Sequence, residues 1–314
     1  MNLIPLSLTY NNESLQDGVG AQVLRIVTLR AQSDYYHLGY AHSGISKLTV
    51  TQLDPAQTTK EITDYISYLN EHFSFESTKQ ENFDQIYDVY NLSHRDLIRY
   101  SLRALISRKR ILLRVTVPFY VTNKNPKIFE SASKFLPEIA KKTPNDKFKI
   151  VIHFRAGANP EHIDPGKTEA RFISIDYFEK VVFKIMGKYQ NDELDLCLLT
   201  DAPLEPFNYS PPVAQLELWA KAGYQVKNGS IEIRALDLEG SGISRIPGFR
   251  VVHGGDPIEA LKEMSTADFL IMSRSTLSFL GALLNKSGEI IYPPRFGSEP
   301  LAGWIAGEDY VESI

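Results

Sequence analysis

One pattern recurs through the second half of the chain: an apolar, β-rich run, a turn, and then a stretch with helical apolar spacing. Lys147 to Arg155 is the first such run. A helix follows, with Ile175, Phe178, Val182 and Ile185 three or four apart and Met186 four beyond Val182. Leu194 to Leu199 is the next run, ahead of the turn-prone Asp201-Ala202-Pro203. The spacing then predicts a helix over Val213 to Ala222 and strands at Ile231 to Ala235 and Arg250 to His253. Beyond these come a helix at Pro257 to Ser265, a strand at Phe269 to Met272, a helix at Thr276 to Asn285 and a strand at Glu289 to Tyr292. Strands that alternate with helices of this length form βαβ units, so the pattern predicts an α/β fold with a parallel, doubly wound sheet. Such sheets bind ligands in the crevice beyond the carboxyl ends of their strands.

The first half alternates less regularly. It predicts helices at Gly18 to Ala31, Thr59 to Phe73, Asp96 to Ser107 and Ala132 to Ala140, with strands at Tyr35 to Tyr40 and Ile111 to Val117. A polar stretch over residues 141 to 147 marks the boundary, and 314 residues suit two domains. Two α/β halves facing one another would place a nucleotide-sized cleft between them. Lys and Arg total 34 against 38 acids, a formal charge of −4, which argues against nucleic acid as the main partner. No apolar run reaches membrane-spanning length, and Asn2 to Tyr10 lacks the basic flank of a signal sequence. A single cysteine, Cys197, leaves no intrachain disulfide and no multi-cysteine metal site. The expectation is a soluble, cytoplasmic protein, with a lumenal fragment of an anchored enzyme as the alternative.

Three stretches could handle a nucleotide diphosphate. Asp17-Gly18-Val19-Gly20-Ala21-Gln22 puts two glycines at a helix start, where backbone can approach a ligand and free amides face an anion. His153-Phe154-Arg155-Ala156-Gly157 ends an apolar strand in a guanidinium, which matches phosphate oxygens two at a time. His153 alternates with core positions, so it is either a ligand contact or a hydrogen-bonded core histidine. Ser273-Arg274-Ser275-Thr276-Leu277-Ser278 carries a buried strand through a hydroxyl-rich loop into a helix, with Ser275 or Thr276 as N-cap. Missing are a GxxxxGK[ST] loop, an HExxH and an Asp-x-Asp, so cations and helix ends rather than a metal are expected to hold any diphosphate.

In this order, the three stretches resemble the motifs of the fucosyltransferase superfamily, which makes α1,2- and α1,6-linkages and protein O-fucose. The family's "G-x-G-x-Q", "H-x-R-x-G" and "S-x-S-[ST]-x-S" segments correspond to Gly18-Val19-Gly20-Ala21-Gln22, His153-Phe154-Arg155-Ala156-Gly157 and Ser273 to Ser278. The resemblance implies a GT-B architecture of two Rossmann-like, doubly wound domains facing a central cleft. Residues 1–146 would form the acceptor side. Residues 147–314 would bind the nucleotide sugar, with the C-terminal tail free to return to the first domain. It also implies an inverting, metal-independent transfer from GDP-fucose to a glycan hydroxyl, with no cofactor.

Carried over by position, Arg155 would stabilise the leaving diphosphate. Ser275, Thr276 and Ser278 would contact phosphates, and Gly18, Gly20, Gln22 and Gly157 would line the donor site. His153 and one acid among Asp201, Asp256 and Asp268 would read the guanine or ribose. Glu161 and Asp164, in the loop after the arginine, lead as catalytic base, with Asp17 as an outside candidate. The family often has a second arginine and an acid after the first arginine, where this chain has Ala156 and Ala158; Arg274 is the substitute cation. Those alanines motivate two alternatives: a GT-B transferase using another GDP-, UDP- or dTDP-sugar, or a non-catalytic glycan-binding module.

Overall fold

The structure is a computed structural model. It describes residues 4–13, 17–48, 59–77, 82–119, 122, 125–142, 147–155, 173–189, 194–202, 205–210, 216–217, 220, 226–233, 236, 238–294 and 299–312. The chain divides into two compact units, Met1–Glu138 and Ile139–Ile314.

The amino-terminal unit holds β1 (Leu6–Tyr10), α1 (Val19–Tyr35), β2 (Gly39–Tyr40), α2 (Thr59–His72), β3 (Gln85–Asn91), α3 (His94–Ser107), β4 (Ile111–Val117) and α4 (Pro126–Ala132). Its four-stranded sheet runs β2-β1-β4-β3, with every pair parallel. The apolar run near the start is β1, a central strand buried along its whole length. Two sequence expectations change here, and one strand was not expected. Tyr35 to Tyr40 is not a strand, because α1 runs on to Tyr35 and the chain turns through His37 at φ 54° before the two residues of β2. The helix expected at Ala132 to Ala140 lies earlier, because Pro126 starts it at the first turn, where its missing N–H costs nothing. β3 escaped notice because alternate residues face solvent and supply no apolar run.

The carboxyl-terminal unit contains β5 (Phe148–Phe154), α5 (Ile175–Lys188), β6 (Leu194–Thr200), β7 (Phe207–Tyr209), β8 (Val226–Lys227) and β9 (Ser230–Ile233). It continues with β10 (Phe249–His253), α6 (Pro257–Ser265), β11 (Phe269–Ile271), α7 (Thr276–Leu284), β12 (Glu289–Tyr292), β13 (Ile305–Ala306) and α8 (Gly307–Glu312). β7, β8 and β9 form a small antiparallel sheet, so the strand expected at Ile231 to Ala235 belongs to an excursion rather than to the main sheet. The helix expected at Val213 to Ala222 lies mostly outside the described residues.

The main sheet is parallel throughout, in the order β10-β6-β5-β11-β12-β13. Numbered within the unit, that order is 3-2-1-4-5-6, the Rossmann arrangement. From β5 the chain crosses through α5 to β6. After β11 it moves the opposite way, through α7 to β12. Ile150, Ile152 and Phe154 of β5 pack with Phe178, Val182 and Ile185 of α5 on one face of the sheet. The intervening His153 points to the other face, where it meets Ser278 of α7. Right-handed crossovers in opposite directions place helices on opposite faces in this way. At the amino ends of the strands, Arg250 grips Asp195 through two bonds of 2.7 and 3.0 Å and Glu263 at 2.7 Å, while Lys149 reaches Glu263 at 2.8 Å.

Candidate functional site

In a sheet of this order the connections diverge between β5 and β11, which opens a crevice beyond their carboxyl ends. The second and third sequence motifs follow those two strands directly, and the fold brings them together.

Ser275 caps α7, its side chain accepting from the Leu277 N–H at 3.2 Å. Ser278, one turn in, accepts from the Ser273 N–H at 3.2 Å, and the two hydroxyls are 3.2 Å apart. His153 closes this cluster: its Nδ1 lies 3.3 Å from the Ser273 hydroxyl and in closer contact with that of Ser278. Burial, with the Arg155 charge adding to it, pushes the imidazole down to about 3, so it is neutral at physiological pH. His153 is thus buried, neutral and hydrogen-bonded to hydroxyls of the β11–α7 turn. Through Nδ1 it pins the strand end to the start of α7.

Arg155 follows the last residue of β5. One terminal nitrogen donates to the Ser275 hydroxyl at 3.4 Å, and Nε lies 3.8 Å from the carboxylate of Asp201, just past β6. The side chain is 41% exposed, and among the described residues Nη2 has no partner. A guanidinium carries five N–H donors, so this one has donors to spare for an anion. Of the hydroxyls expected at a phosphate, Ser275 and Ser278 are buried and turned inward. Thr276, the first residue of α7, is half-buried and exposes the positive end of the helix dipole.

The structure also separates the three acids. Asp201 sits beside Arg155. Asp256 caps α6, accepting from the Ile258 N–H at 2.9 Å. Asp268 lies at the amino end of β11, where it accepts from the Lys149 N–H at 2.8 Å and pairs with Lys142, at the opposite end of the strands from Arg155. Arg274 turns toward β12, with Nε donating to the Pro294 carbonyl at 2.7 Å, whereas Arg155 leans toward β6. Gly157, Glu161 and Asp164 lie outside the described residues.

The first motif belongs to the other unit. Gly18 is the N-cap of α1, in extended backbone at φ −69°, and space around its Cα is open. Gly20 is buried in the first turn. Gln22 is fully buried, its amide donating to the carbonyls of Asp17 at 2.8 Å and Lys47 at 2.6 Å. Asp17 is held by Arg25 at 2.6 Å. Gln22 and Asp17 thus brace the β1–α1 connection.

Sequence reasoning passed over Gly254 and Gly255, which follow β10 at φ 62° and 87°. Gly254 N–H donates to the Thr200 carbonyl at 2.8 Å, tying this turn to the Asp201 side of the crevice. The doublet His253-Gly254-Gly255-Asp256-Pro257, a strand end followed by two glycines and a capped helix, was its available signal.

No family model matches the sequence, and no curated protein matches it. Among solved structures, E. coli heptosyltransferase WaaC with ADP-2-deoxy-2-fluoro heptose aligns at a TM-score of 0.37 and 10% identity, over 96% of this chain and 92% of that one. The same enzyme with ADP gives identical values. An E. coli trehalose-6-phosphate structure bound with UDP-2-fluoro glucose aligns at 0.30 and 10%, over 92% and 84%. Likeness at this level says nothing of substrate, and the functional reading rests on the chain's own residues.

Proposed function

We propose that this chain is a GT-B glycosyltransferase that takes its sugar from a nucleoside diphosphate, with GDP-fucose as donor and a glycan hydroxyl as acceptor. The observation that carries the reading is the half-exposed Arg155 guanidinium at the switch point of a 3-2-1-4-5-6 sheet, beside the start of α7. GDP-fucose is the donor favoured by the motif resemblance.

In the proposed reaction the acceptor oxygen attacks the anomeric carbon as the bond from that carbon to the β-phosphate oxygen breaks, inverting the centre. Negative charge grows on the departing diphosphate. Arg155 is a donor placed for that charge and the positive end of the α7 dipole adds to it, the kind of preorganised stabilisation that contributes most to such barriers. Asp201 steadies the guanidinium without burying it. The acceptor proton passes to Glu161 or Asp164. The transfer needs no metal in this scheme, so EDTA leaves the rate unchanged.

A thermal-shift panel of GDP, UDP, ADP and dTDP, followed by donor consumption with the matching nucleotide sugar, tests the reading. Selective stabilisation by GDP and consumption of GDP-fucose are expected. Selective stabilisation by another nucleotide would move the donor assignment, and silence toward all four would overturn the enzyme reading.

A further inference from the structure

Helix α3 is apolar on two faces, and the fold uses only one of them. Leu97, Tyr100 and Ala104 are buried against the unit. Ile98, Leu102, Leu105 and Ile106 are 62, 53, 48 and 83% exposed. These four stand at i, i+4, i+7 and i+8, which makes them one contiguous outward stripe. Single exposed apolar side chains need no explanation, but a stripe of this kind marks an interaction surface.

Charge says what covers it. Arg95, Arg99 and Arg103, all exposed, recur every four residues beside the stripe, and Arg108, Lys109 and Arg110 follow the helix end. A chain of net charge −4 thus places six cations and a single acid, Asp96, within residues 94–110. Asp96 is committed to the capping box with Ser93, and Arg110 pairs with Asp84 at 3.8 Å. Among the described residues the other five cations have no carboxylate partner. Arg99 and Arg103 lie over the rings of Tyr100 and Tyr87 at 5.3 and 5.0 Å, which holds them near the helix surface.

We propose that the outward face of α3 docks the protein on an anionic lipid surface. An amphipathic helix with cations beside an apolar stripe lies in the plane of the interface, its apolar side chains among the acyl chains and its cations at the headgroups. A second copy of this chain is disfavoured as occupant, because two such faces would oppose like charge to like charge. The proposed attachment is peripheral; no helix among the described residues is long and apolar enough to cross a membrane.

The test is co-sedimentation of the full chain with vesicles of phosphatidylcholine alone and of phosphatidylcholine mixed with phosphatidylglycerol. Binding to the mixed vesicles only, weakened by salt, is expected. The triple variant Arg95→Gln, Arg99→Gln, Arg103→Gln should bind at least about tenfold more weakly. The double variant Leu102→Ser, Ile106→Ser should lose binding while melting like the parent, since both side chains are exposed. An Ile106→Trp variant adds a direct readout: brominated lipid should quench its fluorescence. The idea fails if neither vesicle binds, if both bind equally, or if the two multiple variants bind as the parent does. It also fails if sedimentation velocity finds a dimer that the Leu102→Ser, Ile106→Ser variant dissociates.

Discussion

Removing the guanidinium at the tip of β5 separates a functional role from a structural one, because the structure makes the two costs very different. In Arg155→Ala the lost contacts within the protein are the 3.8 Å pairing with Asp201 and the 3.4 Å bond to Ser275. Both partners of the ion pair are close to half exposed, at 41 and 46%, and an exposed pair is worth at most about 1 kcal/mol. The hydrogen bond is long, which weakens it further. The melting temperature should therefore fall by no more than about 2–4 °C. The expected functional loss is larger. A charged hydrogen bond contributes about 1.5–3 kcal/mol, so nucleoside diphosphate should bind about 10–150-fold more weakly. A donor that acts on charge formed in the transition state is worth about 100–1000-fold in kcat. Arg155→Lys keeps the charge but loses the planar fork and should fall between. Scanning fluorimetry with and without GDP, together with a coupled assay of nucleotide release, reads all three quantities. A variant that melts near the parent temperature yet binds and turns over normally would refute the role. One that melts more than about 10 °C lower would show that Arg155 is structural.

Other outcomes follow from buried groups. The fold holds His153 neutral, well below its ordinary 6.5, so the unfolded chain binds the extra proton as pH falls. Stability should be full above about pH 6.5 and decline toward pH 3, with His153 contributing up to about 1.4 kcal/mol per unit. Burial lowers His42 as well, in the same direction. Urea unfolding between pH 7.5 and 5 should therefore show a shallower slope, though not a flat one, in His153→Gln; an unchanged slope would place the lost stability elsewhere. Cys197 is fully buried in β6, and burial pushes its thiol up to about 12, so a thiol reagent should leave the native protein unmodified and react only after denaturation. Gly248 turns into β10 at φ 83°, and a methyl there would press on the Leu194 carbonyl. Gly248→Ala should cost about 1–3 kcal/mol or more, seen as a lower urea midpoint, and a neutral result would mean the turn can rearrange.

Much of the carboxyl-terminal unit was legible because its local signals agree. Asp256-Pro257 and Ser275-Thr276 mark helix starts, and the runs at Lys147, Leu194, Phe269 and Glu289 are strands buried on both faces. The amino-terminal unit was harder. β3 shows no apolar run, and the residues after α1 look like a strand until the long helix uses them. At the site, Arg155 and Ser275 could be named from strand-end motifs, and the apolar runs put Asp201 after a strand and Asp268 before one. Only the assembled sheet shows Asp201 beside Arg155 and Asp268 bound to Lys142 and the Lys149 N–H.

By itself the sequence determined that parallel strands alternate with helices, and which side chains stand where strands end, because periodicity and capping are properties of neighbouring residues. The strand order 3-2-1-4-5-6 was decided only by tertiary structure. So were the meeting of Arg155 with Ser275 across 120 positions and the burial that holds His153 neutral against the start of α7. Each depends on which crossovers pack on which face, and that free energy is gained only when distant segments bury their surfaces together.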